Sequence, residues 1–280
     1  MNTANPSPDR ASGVAFIGGG NMASAVIGGL LSAGQPATSI TVVEPFAEQA
    51  QRLRERFGVT VLAAAGPELI NAGVVVWAVK PQMFQEAALP CRPFVGQALQ
   101  LSVMAGIPSA AIAAATGSQR IVRTMPNTPA LIGQGMTGLF ASAAVSADER
   151  QRVEALLAPT GTTLWVNEEA HLDAVTALSG SGPAYVFYFV EAMIEAGTAL
   201  GLSAEQARRL AVGTFSGAAA LCGQSDESPE VLRQRVTSKG GTTHAAITTM
   251  EAEGVKPAFV KALHAAATRA QELGREFGAT

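Results

Sequence analysis

The stretch VAFIGGGNMASAVIGGLLSAG, Val14–Gly34, runs from a short apolar strand-like segment through three glycines into small and apolar residues at helical spacing. Gly18, Gly20 and Ala23 stand in the G-x-G-x-x-G/A pattern, after a predicted strand and at the opening of a predicted helix. Each position has a physical task. Gly18 permits a tight turn, Gly20 has no side chain to keep backbone from a pyrophosphate, and Ala23 lets the helix lie close to the sheet. The helix start supplies free N–H groups and the positive end of its dipole. The pattern therefore predicts a dinucleotide pocket, against the plainer reading of a glycine-rich turn with no ligand. Glu44 closes the next predicted strand, about 20 residues further on, where an acidic side chain meets the adenosine ribose hydroxyls and repels a 2′-phosphate. The competing reading turns Glu44 away into solvent at Pro45.

Working outward, short β-branched runs alternate with helical segments: SITVVE, then a helix over 47–56; AGVVVWAV, then a helix over 82–89; then LQLSVMAG and QRIVRT. A strand over 135–142, a helix over 148–157 and a strand over 162–166 finish the sheet. This rhythm predicts βαβ units and a mostly parallel, doubly wound α/β sheet of Rossmann type. Beyond Val166 helical periodicity takes over, with helices expected over 183–200, 204–221, 229–236, 243–252 and 257–277. The expected domains are 11–167, binding dinucleotide, and 168–280, all-helical. With 5% aromatic residues in the chain, the helical half would have a thin core alone, so dimerisation through its helices is expected.

Composition narrows the function classes. The 280 residues are 48% hydrophobic and 15% charged, which excludes disorder. Net charge is 19 − 22 = −3, giving no electrostatic footprint for nucleic acid or anionic lipid. Cys91 and Cys222 have no metal-ligand or CxxC spacing, so no metal is expected, and the polar start MNTANPSPDR lacks a signal-peptide core. No apolar run reaches the ~20 residues a membrane span needs. A cytoplasmic protein with a small-molecule partner is expected.

Five motifs remain beyond the fold: GGGNMA, AVKPQ (Ala78–Gln82), RTMPNTP (Arg123–Pro129), SGSGPAY (Ser179–Tyr185) and GGTT (Gly240–Thr243). In this order they resemble the pyrroline-5-carboxylate reductase family, and the resemblance spans Ala11 to Phe277. It implies hydride transfer from NADPH or NADH to the C=N carbon of 1-pyrroline-5-carboxylate, the last step of proline biosynthesis. It also implies a Rossmann domain followed by a helical dimerisation domain, with each active site completed by helices across a homodimer or higher homo-oligomer. Gly18, Gly19, Gly20, Asn21 and Met22 would hold pyrophosphate and ribose. Ala78, Val79, Lys80 and Pro81 would lie beside the nicotinamide ribose, and Met104, Ala105, Gly106 and Asn127 beside the ring. Ser238 with the backbone of Gly240, Gly241 and Thr242 would hold the substrate carboxylate, and the Thr243 hydroxyl would bond the ring nitrogen as the catalytic contact. Ser181 and Thr176 are further lining candidates.

Plainer readings stand beside these. Lys80 can be a solvated strand-end charge, Thr242 or Thr243 an ordinary helix cap, and Ser181 part of a tight turn. Lys239 stands where many family members carry proline, and it either attracts an anionic substrate or faces solvent. The chain has no lysine between Lys80 and Lys239, and its histidines are His171, His244 and His264. A cyclic imine, protonated in solution, has less need of a catalytic acid than a ketone does, so this scarcity favours the imine. The competing classes are a β-hydroxyacid-type dehydrogenase, which uses a lysine from its helical domain, and an NAD(P)H-binding regulator without turnover.

Overall fold

The computed structural model describes residues 13–278; Ala11 and Ser12, with which the first domain is expected to open, and the polar start lie outside the described residues. The first half runs β1 (Gly13–Ile17), α1 (Asn21–Ser32), β2 (Ile40–Val43), α2 (Ala47–Phe57), β3 (Thr60–Leu62), β4 (Ala72–Trp77), α3 (Phe84–Val95), β5 (Leu99–Ser102), α4 (Ser109–Thr116), β6 (Ile121–Met125), β7 (Gly135–Ala141), α5 (Ala147–Leu157) and β8 (Gly161–Trp165). The strands form one sheet in the order β3-β2-β1-β4-β5-β6-β7-β8. All pairs are parallel except β6 with β7. The chain leaves β1 toward one edge and returns to β4 on its other side. The carboxyl ends of β1 and β4 thus meet at the topological switch point, where such sheets bind ligands.

Alternation along the central strands explains why both sheet faces are apolar. Val14 and Phe16 of β1 with Val74 and Val76 of β4 join one buried cluster, beneath Ile27 and Leu53. Ala15 and Ile17 with Val75 and Trp77 join the other, beneath Phe84, Val95 and Ile112. Trp77 meets Phe84 edge to face at 5.3 Å, and its indole N–H donates to Gln100 Oε1 at 2.9 Å. The Gln100 amide nitrogen in turn donates to the carbonyls of Val95 and Ala98, so this buried polar side chain is paired at both ends.

Three departures from the sequence reading have physical causes. Helix α3 continues past Leu89 through Pro90 and Pro93 to Val95. The carbonyls those prolines leave unpaired belong to Glu86 and Leu89, both exposed residues that water can reach, while Cys91 and Val95 hold the inner face in the core. Burial pushes the Cys91 thiol up to about 11, so it behaves as a packing group. Helix α4 was hidden because its sequence SAAIAAAT offers almost no contrast between faces; Ile112 alone among its larger residues anchors it. Strand β3 is three residues long, below the length at which alternation shows.

The described residues form two compact units, one of residues up to 180 together with those from 266 on, the other of residues 181–265. These units part at 180/181. The reason lies in α6 (His171–Val175) and the π-helical turn Thr176–Gly180, which pack on β6 and β7. A Cβ on Gly138 of β7 would stand 2.5 Å from a Val175 methyl. The last turns of α11 (Val255–Gly278) also belong to the first unit, with the backbone of Leu273 and Gly274 against Gly106.

The second unit holds α7 (Gly182–Ala199), α8 (Ala204–Gln224), α9 (Pro229–Arg235), α10 (Thr242–Ala252) and the start of α11. Helices α7 and α8 approach closely at Gly197, where an added Cβ would lie 2.9 Å from the Ala207 methyl. Phe259 receives Tyr185 and Phe189 edge to face at 5.6 and 5.7 Å. Among its described residues only Ala207 and Ala211 are buried apolar side chains, while Phe187, Tyr188, Leu200, Leu210 and Leu221 are exposed. A single copy of this unit leaves its large apolar side chains without a core.

Gly161, opening β8, has φ of 134°, a region L side chains rarely adopt, and an added Cβ would sit 2.1 Å from the Gly135 carbonyl oxygen. Gly161→Ala is expected to cost about 3 kcal/mol or more and to lower Tm by roughly 6–12 °C in a thermal melt.

Candidate functional site

The glycine loop is held from three directions before any ligand enters. Gly18, with φ of 95°, donates its N–H to the Val43 carbonyl at 2.9 Å, and a Cβ there would lie 2.7 Å from the Ala78 carbonyl oxygen. Gly19 donates its N–H to Glu44 Oε2 at 3.0 Å, and its carbonyl accepts from the Gln49 amide at 2.6 Å. Glu44 is buried, and its other oxygen accepts the Phe46 N–H at 3.0 Å. The sequence spacing aimed Glu44 at ribose hydroxyls. Burial excludes the solvent-facing alternative, and one lone pair of each carboxylate oxygen goes to backbone, so Glu44 braces the loop while its remaining lone pairs are not claimed by these bonds.

Helix α1 opens from Gly20 with no side-chain cap. A Cβ on Gly20 would meet no protein atom within 4 Å, so packing within the chain does not explain why that position is glycine. An uncapped helix start beside a braced glycine turn is a receptor for anionic oxygens, and a pyrophosphate fits its donor set. Asn21 and Met22 form the first turn of α1, with Asn21 exposed.

Around the switch point, Ala78 and Val79 lie against Gly18, while Lys80 is exposed at the start of the short 3-10 turn Pro81–Met83. Met104 is buried, with its N–H donating to Ser102 Oγ at 3.2 Å; Ala105 and Gly106 continue the turn after β5. Asn127 serves as a brace: its Oδ1 accepts the Met136 N–H at 2.9 Å and its amide donates to the Ser179 carbonyl at 3.1 Å. Thr176, Met104, Ala105 and Gly106 line one small cavity of about 20 Å³. Thr176 opens the π-helical turn and donates its hydroxyl to the Leu172 carbonyl at 2.7 Å.

Four polar residues at this end were not read as site residues. Arg123, buried in β6, places Nη1 2.8 Å from Glu169 Oε1, and the same oxygen accepts the Ser109 N–H at 2.6 Å. Burial raises the Glu169 carboxyl, but the Ser109 N–H and the Arg123 guanidinium outweigh it and hold the group below its ordinary value. Asp173, facing the same cavity, is pushed up by burial, which outweighs the attraction of Arg123. The available signal was an arginine inside the β-branched run QRIVRT, where alternation alone does not say which face it takes.

The remaining candidates belong to the second unit. Ser181 precedes α7 as its cap position, yet its side chain makes no capping hydrogen bond; Pro183 lies in the first turn. In the Ser238–Thr243 turn, Gly240 has φ of 76° and the Gly241 N–H donates to the Ser238 carbonyl at 3.0 Å. Gly241, not either threonine, is the cap position of α10, and no side chain caps it. That removes the plain reading of Thr242 or Thr243 as the helix cap. Lys239 and His244 are exposed.

Comparison with known proteins adds lineage to this geometry. Residues 169–273 match the family model for pyrroline-5-carboxylate reductase dimerisation, and residues 13–106 match the model described as NADP oxidoreductase, coenzyme F420-dependent. A pyrroline-5-carboxylate reductase of Pseudomonas aeruginosa is 45% identical over 267 residues, covering 95% of this chain and 98% of the relative. The chain belongs to the pyrroline-5-carboxylate reductase family. Among solved members, the Coxiella burnetii reductase superposes with a TM-score of 0.88 at 38% identity, over 94% of this chain and 98% of that one. The Plasmodium falciparum reductase, solved with NADP bound, gives 0.83 at 26% identity, over 95% and 99%. The NADP oxidoreductase model covers the braced loop and the Met104–Gly106 turn, and the dimerisation model covers both Thr176 and the Ser238–Thr243 turn.

If Glu44 acts by bracing the loop, Glu44→Ala should weaken NADH and NADPH binding alike, by about tenfold, as expected for lost hydrogen bonds to a charged group. Fluorescence titration of both cofactors checks this. Selective improvement of NADPH binding would instead mark Glu44 as a 2′-phosphate discriminator.

Proposed function

We propose that this chain reduces 1-pyrroline-5-carboxylate to L-proline with NADPH or NADH. The observation that carries the reading is its likeness, across nearly all of both chains, to reductases of that name. The geometry supports it at each step. The pyrophosphate rests on Gly18, Gly19, Gly20, Asn21 and Met22 at the start of α1. Ala78, Val79, Lys80 and Pro81 flank the nicotinamide ribose, and Met104, Ala105 and Gly106 flank the ring, with Asn127 holding the neighbouring backbone in place. When bound, the reduced nicotinamide supplies the hydride that the C=N carbon accepts.

The substrate carboxylate goes to the Ser238–Thr243 turn, where the backbone N–H groups of Gly240 and Thr242 and the Ser238 hydroxyl act as preorganised donors, while the Gly241 N–H holds the turn through the Ser238 carbonyl. Thr243 bonds the ring nitrogen through its hydroxyl, and Ser181 lines the substrate. No strong catalytic acid is required, because the imine nitrogen is protonated in solution and its electron pair returns to it as the carbon takes hydride. Orientation is the chain's contribution.

The exposed apolar faces of α7 and α8 support assembly of two copies through the helical domain, matching the dimerisation model that covers it. A cytoplasmic location fits the use of a soluble cofactor; among the described residues no helix is long and apolar enough to cross a membrane.

Purified protein should oxidise NADH or NADPH only when pyrroline-5-carboxylate is added, followed by loss of nicotinamide absorbance. Thr243→Val should lower kcat/KM by about 10- to 100-fold, the scale of one lost positioning contact. Near-wild-type kcat/KM would remove the nitrogen contact, and cofactor binding without turnover would identify a sensor.

A further inference from the structure

Buried on a central strand, Arg123 is a costly residue to keep. Its neighbours in β6 are Val122 and Thr124, its side chain is 10% exposed, and its Nε has no hydrogen-bond partner. Burying its charge carries a desolvation cost that pairing with the partly exposed Glu169 only partly returns. Its connections point to another use. Through the one oxygen Glu169 Oε1, the guanidinium reaches the first N–H of α4 at Ser109, directly after the Met104–Pro108 turn. Arg123 lines the same small cavity as Asp173, Thr176, Met104, Ala105 and Gly106. Thr124, next in β6, donates its hydroxyl to the Ser102 carbonyl at 2.9 Å, while Ser102 Oγ receives the Met104 N–H.

We propose that Arg123 is a positioning residue for hydride transfer: its ion pair with Glu169 sets the Met104–Gly106 turn relative to Thr176. It touches neither substrate nor cofactor in this account. This inference rests on the reading of the chain as a pyrroline-5-carboxylate reductase, in which that turn flanks the nicotinamide. Dinucleotide affinity comes mainly from the braced glycine loop on other strands. The ion pair should therefore govern kcat and leave cofactor binding nearly unchanged.

The test uses the full chain in two variants. Arg123→Met with Glu169→Gln removes both charges together and keeps an oxygen acceptor for the Ser109 N–H. Arg123→Lys keeps the charge without the planar fork. In the double variant we expect Tm close to wild type, the Kd of NADH or NADPH within about threefold and kcat lower by about 30- to 100-fold, the scale of a 1 Å misplacement. We also expect a larger kinetic isotope effect with cofactor deuterated at the transferred position. Arg123→Lys should fall between wild type and the double variant. A folded double variant with kcat within threefold of wild type overturns the proposal, as does a kcat loss that only tracks the folded fraction. Should the double variant not fold, Arg123→Lys decides: kcat about tenfold down at unchanged Kd supports positioning, and unchanged kcat overturns it. Wild-type protein that oxidises no cofactor with pyrroline-5-carboxylate overturns the functional reading, and this inference with it. Failure of the variants alone leaves that reading intact.

Discussion

The Gly19 peptide units fix the cofactor end of this protein. One carboxylate oxygen of Glu44 holds the Gly19 N–H and the Gln49 amide holds its carbonyl, so the turn between β1 and α1 is set by β2 and α2. Neither hydrogen bond forms unless β2 pairs with β1 in the observed register, Ile17 against Val43. The register follows from alternating apolar residues on both faces of the sheet, because a slip by one would exchange the two faces. A donor array for phosphate is thus a consequence of how the sheet core packs.

A second arrangement of the same kind lies at the ends of β5 and β6. There the Met104–Gly106 turn is held by Ser102 from within its own strand connection and by Leu273 and Gly274 from the last turns of α11. Asn127 ties the start of β7 to the π-helical turn. π-helical turns are rare and frequently found at functional sites, and this one carries Thr176. Backbone braced by hydrogen bonds at both places suits a reaction that depends on orientation.

Much of this was legible in the sequence, for identifiable reasons. Gly18, Gly20 and Ala23 reveal their task by spacing, and the β-branched runs of β1, β2 and β4 reveal a parallel sheet because both faces must be apolar. The features that were not legible depend on tertiary partners. Glu44 reads as a ribose ligand by distance along the chain, and folding adds what spacing does not show, that Gly19 and Phe46 each donate to one of its oxygens. Arg123 and Glu169 lie 46 residues apart, and nothing in either local pattern announces the pair. Helix α3 runs through its prolines because they and the residues whose carbonyls they orphan are exposed, which composition cannot reveal.

Hydride delivery to a C=N carbon leaves its mark on the product, where the transferred hydrogen can be traced. Purified protein supplied with pyrroline-5-carboxylate and NADH or NADPH deuterated at the transferred position should release proline carrying one deuterium, at the ring carbon formerly double-bonded to nitrogen, as read by mass spectrometry and NMR. Proline without deuterium, or cofactor consumption with no proline formed, would contradict the account.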